Sequence, residues 1–371
     1  MVAQVSAGAL RHNLALVRQQ LAPGVKLCAV VKANAYGHGL DLLLPTIAPA
    51  ADYLAVAAAA EALELRWLGY SGKLLTIFTP SLCPEDEQAD MLDELTLAHV
   101  TLTVVTEAEA RAVDAAAART RTPAAVHVKI DTGMRRSGVE IDQAFGLVQA
   151  LGRLPNLRLE GLYTHFAPAD ESDQSFVLTQ FERFSHVAGQ CDPSHKLIRH
   201  AANTAALLDQ PGTHADMVRP GLALYGCFSG SDIRNRPPLR PALRLTTRLM
   251  QTRSVKAGDA CGYGLTYTFP RDGRAGLVPV GYADGYSRAF PNRGVMRVRG
   301  RLVPVRGRVA MDQLTVDLAD CPEARVGDEV EIISPDPTAP NGVENLARLA
   351  STIPYEPLTL LGRRVRRVLV D

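Results

Sequence analysis

The sequence carries almost no surplus of charge. Forty basic residues against 39 acidic ones leave a formal net charge of +1 over 371 residues. A chain that works on DNA, RNA or an anionic membrane surface gathers positive charge, so no nucleic acid or membrane partner is expected. The six cysteines, Cys28, Cys83, Cys191, Cys227, Cys261 and Cys321, are scattered, with no CxxC pair and no metal-type spacing. That excludes a small disulfide-stapled secreted scaffold and gives no reason to expect a metal. No apolar run approaches the ~20 residues that span a bilayer, and the opening MVAQVSAGALRHNLALVRQQL alternates polar and apolar residues too soon for a signal-peptide core. A soluble, cytoplasmic, reducing location is expected. Internal repeats, low-complexity tracts, GxGxxG and P-loop patterns are all missing, so a nucleotide site is not expected either.

What is present is an alternation. Over roughly the first 225 residues, eight short apolar runs, centred near Val30, Leu54, Leu75, Thr101, Val128, Leu162, Ile198 and Val218, are separated by Ala-, Leu-, Glu- and Arg-rich stretches. Stretches such as TEAEARAVDAAAAR and DQAFGLVQALGR have the period of an amphipathic helix. Eight strands alternating with helices in that length predict an α/β fold, a parallel (β/α)8 TIM-type barrel. The texture changes after Tyr225: GCFSGSDIRNRPPLRP reads as a linker. Beyond it, alternating runs such as LRLTTRLMQTRSV and GDEVEIIS predict a mostly antiparallel β domain with one short helix at VENLARLA. The expected division is residues 1–232 for the barrel and 233–371 for the β domain.

Barrel enzymes hold their chemistry at the carboxyl ends of the strands. Lysine is scarce here. Only Lys26, Lys32, Lys73, Lys129, Lys196 and Lys256 stand among the 40 basic residues, and two of them, Lys32 and Lys129, fall at or near strand ends. A partly desolvated amine there loses basicity and suits covalent or general-base chemistry. The plainer alternative is a lysine stem lying along the strand while its charge reaches water.

Around Lys32 the segment AVVKANAYGHGL resembles the pyridoxal-phosphate attachment segment of alanine racemases. The resemblance continues in order through VHVKIDTGMRRSG (residues 126–138), GLYTHFAPADE (161–171), HAANTA (200–205) and MVRPGLALYG (217–226). CGYGLTY, VGYADGYSR, GRVAMDQ and IPYEPLT carry it through the second domain. It spans nearly the whole chain.

That resemblance implies pyridoxal 5'-phosphate as cofactor, Lys32 as its covalent anchor and first base, and Tyr263 as the second base, supplied across a homodimer interface so that the active sites are shared. A phenol of ordinary pKa ~10 needs positive neighbours to act as a base; His165 and Arg136 are the candidates. Arg136 is also implied at the cofactor's phenolic oxygen and the substrate carboxylate, whereas Arg135 takes no role. Arg219 is implied at the ring nitrogen. A guanidinium cannot accept a proton there, so the nitrogen stays neutral and the electron sink weak, which disfavours decarboxylation and transamination. His200 supports Arg219. Asn203, Thr204, Gly221 and Leu222 are implied at the phosphate, with Tyr36 and Tyr355 as phenolic donors; Thr204 stands where a serine is more usual and keeps the hydroxyl. Lys129 is implied as a carbamate that pairs with Arg136; the alternative is an unmodified lysine paired with a nearby acid. Met311 and Asp312 resemble the segment whose backbone binds the substrate carboxylate, with Ala310 where relatives often have cysteine. Asp170, Tyr282, Arg288, Arg308, Ile353 and Tyr355 match the access channel, and Pro168 departs from the usual residue in it.

The implied activity is the interconversion of L- and D-alanine, supplying D-alanine for peptidoglycan. A racemase of serine or a larger amino acid is the alternative on the same scaffold. An amino-acid decarboxylase would show a carboxylate where Arg219 stands. A non-enzymatic vitamin-B6 carrier would resemble the barrel alone, without the domain that carries Tyr263.

Overall fold

All eight apolar runs of the first part form strands, and all eight lie parallel. The computed structural model describes residues 1–82, 85–192, 194–290 and 292–371; Cys83 lies outside the described residues. Around the barrel the strands run Lys73–Thr76, Tyr53–Val56, Lys26–Val30, Met217–Val218, Ile198–His200, Leu157–Tyr163, Ala124–Asp131 and Leu102–Val104. Leu75 bridges Thr101 in parallel, with the Thr101 N–H donating to the Leu74 carbonyl at 2.8 Å and the Thr76 N–H to the Thr101 carbonyl at 3.0 Å. These bonds close the ring. Most of the strands are buried on both faces, which is why they read as nearly continuous apolar runs rather than alternating ones; the first half of Leu157–Tyr163 is the exception.

The outer helices follow from local signals. The helix Glu107–Thr120 starts at Thr106, whose hydroxyl accepts from the Glu109 N–H while the Glu109 carboxylate accepts from the Thr106 N–H. Its buried face, Ala110, Val113 and Ala117, recurs at helical spacing.

The second domain is built on a nine-stranded, mostly antiparallel sheet with two members that composition did not reveal. Val2–Ser6, at the far end of the sequence, pairs antiparallel with Leu243–Arg248 and parallel with Arg366–Val370. Val2–Ser6 is five residues long and its partners lie more than 200 positions away, so no local pattern announces it. Ser6 then turns the chain into the first barrel helix by capping the Ala9 N–H at 2.9 Å. The segment 226–241 has no helix or strand, as expected, yet it is packed rather than loose. Phe228, Ile233 and Leu239 are buried, and the Phe228 N–H donates to Glu344 of the second domain at 3.0 Å.

The barrel's carboxyl end is shaped by a left-handed turn. After Lys32, the residues Ala33, Asn34, Ala35 and Tyr36 all have φ between 52° and 55°. Each such residue costs about 1–2 kcal/mol in an L-chain, so the turn persists only because neighbours fix it. The Ala33 N–H donates to Glu61 Oε1 at 2.6 Å, the Ala35 N–H to the Val31 carbonyl at 2.9 Å, and Asn34 Oδ1 accepts from the Leu40 N–H at 2.7 Å. Gly37, at φ +81°, ends the turn where a Cβ would run into the carbonyl of Leu358. The short helix Tyr355–Thr359 of the second domain is thereby seated against the barrel mouth.

Candidate active site

A cleft of about 360 Å³ opens at the carboxyl ends of the barrel strands. Lys32, Tyr36, Lys129, Arg136, His165, Asp170, Asn203, Thr204, Arg219, Gly221, Ile353 and Tyr355 all line it. Most of the implied site residues thus come together from five barrel strand ends and from the second domain at Ile353 and Tyr355. Leu222 is fully buried in the turn that follows Gly221.

The cleft is cationic. Lys32, Lys129, Arg136 and Arg219 face a single lining carboxylate, Asp170. Burial and the Arg136 guanidinium lower the pKa of the Lys32 amine, with Glu61 opposing them. Lys129 is 4% exposed; burial, Arg136 and Arg219 push its amine down to about 8. Arg219 is equally buried and, among the described residues, has no acidic partner. Its Nη2 donates to the carbonyls of Thr164 and Ala201 at 2.7 and 3.0 Å, and its Nη1 to His200 Nδ1 at 2.8 Å. His165 Nδ1 lies 3.3 Å from Nη2. Burial and these cations hold His165 and His200 well below the ordinary histidine range, so both rings are neutral. A buried guanidinium without an anion is a costly arrangement; the cleft as a whole suits an anionic ligand.

The two arginines of the pair at 135–136 separate cleanly. Arg135 turns outward and pairs with Glu140 at 2.6 Å, while Arg136 lines the cleft and makes no hydrogen bond or ion pair among the described residues. Asn203 caps the helix Thr204–Asp209 through the Ala206 N–H at 3.0 Å, and Thr204 Oγ1 accepts from the Gly221 N–H at 3.0 Å. Those two segments are therefore held side by side.

A second group stands apart. Tyr263, Tyr282, Arg288, Arg308, Met311 and Asp312 are not among the residues lining the cleft of their own chain. Tyr263 sits in a short turn, 71% exposed; Leu265 at 67% and Met311 at 52% are also exposed in the same domain. Their loops brace one another. The N–H groups of Tyr282 and Ala283 donate to the carbonyls of Ala310 and Met311, both at 3.1 Å, and Arg364 joins Asp284 to Asp312.

Comparison with known proteins matches residues 5–228 to the alanine racemase N-terminal domain and 242–369 to its C-terminal domain. This chain belongs to the alanine racemase family. The alanine racemase of Desulfovibrio desulfuricans is 37% identical, covering 100% of this chain and 98% of that one; the alanine racemase of Halothermothrix orenii is 38% identical over 98% and 95%. Among solved structures, the alanine racemase from D-cycloserine-producing Streptomyces lavendulae superposes with a TM-score of 0.92 at 34% identity, over 100% of this chain and 97% of that one. The biosynthetic alanine racemase of Pseudomonas aeruginosa gives 0.88 at 36%, over 100% and 99%.

Set on the alanine racemase scaffold, the cleft holds residues that the sequence alone passed over. Tyr163 stacks on His200 with ring centroids 4.7 Å apart and planes at 10°, and the Arg219 guanidinium lies 5.2 Å from its ring centre. It stands two positions before His165 on a strand end, so the period of two could have flagged it. His127 lies deeper, 2.9 Å from His200. Its signal, a lone histidine in an apolar strand, is the ordinary look of a packed core residue. Among the described residues no helix is long and apolar enough to cross a membrane.

Proposed function

We propose that this chain interconverts L- and D-alanine as a pyridoxal-5'-phosphate-dependent homodimer whose two active sites are shared, in the cytoplasm, supplying D-alanine for peptidoglycan. The observation that carries this reading is the pairing of a weakened amine, Lys32, with a carboxylate-free guanidinium, Arg219, in one cationic cleft. The residues present fit the cofactor. A cationic lining would suit its anionic groups, Tyr36 brings a phenolic OH with no hydrogen-bond partner among the described residues, and Arg219 would face the ring nitrogen as a donor only. When bound, pyridoxal phosphate supplies the conjugated ring that spreads the charge left on the α-carbon.

The chain's own residues do the rest. Lys32 would hold the cofactor through its amine and, with that amine free, would take or return the α-proton on one face. Its lowered basicity favours the uncharged form that a base must have. Tyr263 of the second copy does the same on the opposite face, and the exposure of Tyr263, Leu265 and Met311 supports a partner that covers them. Arg136 orients the substrate carboxylate with the backbone at Met311 and Asp312. The chain is divided here into a barrel over 1–232 and a β domain over 233–371, with the strand Val2–Ser6 paired into the second sheet.

Lys129 extends the reading. An amine near 8 keeps a reactive uncharged fraction at neutral pH; it adds carbon dioxide and releases a proton, giving an anion that can pair with Arg136. At fixed dissolved carbon dioxide this adduct should increase as the pH rises through about 8. Carbon-13-labelled bicarbonate should give a lysine carbamate signal in the wild type that Lys129→Ala lacks; its absence from the wild type rejects the modification.

The racemase reading is tested by an absorbance scan of the purified protein, with and without borohydride, followed by a chiral assay on alanine, serine and lysine. Alanine should turn over fastest and serine more slowly, since one added group shifts a small pocket by only about 1–3 kcal/mol. A colourless protein that cannot be charged with the cofactor ends the reading. Faster turnover of lysine moves it to the larger-substrate alternative.

A further inference from the structure

The donor and acceptor pattern below Arg219 runs further into the barrel than His200. A guanidinium only donates, so the Arg219 Nη1 contact at 2.8 Å makes His200 Nδ1 the acceptor. With the His200 ring neutral, its proton sits on Nε2, which lies 2.9 Å from His127 Nδ1. His127 must then accept at Nδ1. It is fully buried, and burial with the nearby charges of Lys73 and Arg219 lowers it to about 3, so this ring is neutral too. Its remaining nitrogen, Nε2, is buried and meets no hydrogen-bond partner among the described residues.

The backbone is shaped to put the ring there. The register between Ala124–Asp131 and Leu157–Tyr163 shifts between Val126 and His127, with Glu160 the extra residue, and so brings Gly161 opposite His127. Opposite, at Gly161, a Cβ would come within 2.8 Å of His127 Cε1 and 2.9 Å of Nδ1. Only a residue without a side chain leaves space for the imidazole. A bulge, an opposing glycine and a buried polar atom left unpaired form a costly way to place a core residue whose sole polar contact among the described residues is with His200.

We infer that His127 is a positioning residue for the racemisation: by accepting from His200 Nε2–H it locks His200 in the tautomer that accepts from Arg219, and so holds the guanidinium in its orientation toward the cleft. Without that acceptor His200 is free to carry its proton on Nδ1. That proton would face the Arg219 N–H, donor against donor, and the guanidinium would turn. The inference rests on the role proposed above for Arg219 at the cofactor's ring nitrogen.

Two polar variants separate position from mere packing. In His127→Asn the amide oxygen falls where Nδ1 lies and can still accept from His200; in His127→Gln the amide reaches instead toward the place of Nε2. Nitrogen-15 spectra of the holoenzyme, labelled at histidine, should show His200 protonated on Nε2 alone in the wild type and in His127→Asn, and a mixture of tautomers in His127→Gln. Turnover should stay within about threefold for His127→Asn and drop on the order of tenfold for His127→Gln, with KM for alanine little changed, because an unpaired buried donor is at stake. In His127→Gln, pyruvate release per racemisation event, in which the substrate's amino group stays on the cofactor, should rise several-fold. An unchanged His200 tautomer in His127→Gln overturns the relay. A changed tautomer with an unchanged pyruvate ratio overturns instead the role given to Arg219, and with it the catalytic consequence drawn here. Equal losses in the two variants likewise reject the inference, since packing alone would then explain them.

Discussion

Lys32→Ala should yield a folded protein that cannot be fixed to its cofactor by borohydride and racemises alanine at a rate lower by roughly 10²–10⁴-fold or more, the contribution of one positioned base, with the loss of the covalent anchor added to it. The fold should not suffer. The Lys32 amine makes no hydrogen bond among the described residues, and the left-handed turn that follows it is held by Glu61, Val31 and Asn34 rather than by the lysine. The sign of the stability change can be worked out. Burial and Arg136 lower the amine's pKa in the folded chain, so over that range the unfolded chain binds the proton more readily and stability rises with pH. At neutral pH the charged amine works against folding. Its removal should therefore leave the melting temperature unchanged or higher, and calorimetry beside the chiral assay separates lost chemistry from lost structure. Full racemisation by Lys32→Ala would end the assignment.

How much of this could be read from the sequence depends on the range of the interaction. The eight barrel strands were legible because burial on both faces leaves an uninterrupted apolar run, and the helix Glu107–Thr120 because its capping residues are local. Lys32, Arg136, His165 and Arg219 were legible because their segments resemble those of a known family, and they meet in one cleft. Val2–Ser6 was not legible: its pairing with Leu243–Arg248 and Arg366–Val370 is decided by partners distant in the chain. The left-handed turn at 33–36 was hidden for another reason. Two alanines, an asparagine and a tyrosine do not advertise positive φ; only the surrounding hydrogen bonds impose it. Tyr163 and His127 were missed because an aromatic or a histidine in an apolar strand reads as core, and what distinguishes them is a stacking distance and a donor–acceptor order that only the folded barrel supplies.

Tyr263→Phe should act on one enantiomer. If Lys32 serves one face of the α-carbon and the partner's phenol the other, the variant keeps the lysine's proton transfer and loses the tyrosine's. Solvent-deuterium exchange into L-alanine should fall by roughly 10²–10⁴-fold, while exchange into D-alanine persists, and equal loss on both would reject the division of labour. The same residue tests the shared site. In its own chain Tyr263 is 71% exposed and does not line the cleft of Lys32, as the proposed sharing requires. Mixing equal amounts of Lys32→Ala and Tyr263→Phe chains, after dissociation and reassembly, makes hybrids in which one site carries both substitutions and the other neither. Random pairing makes half of the dimers hybrid, each with one intact site, so about a quarter of wild-type activity should return from two nearly inactive parents. Were the phenol to serve the lysine of its own chain, every site would carry one substitution and nothing would be recovered. The hybrid experiment therefore decides the geometry that the exposed turn at Tyr263 points to, independently of which proton each base moves.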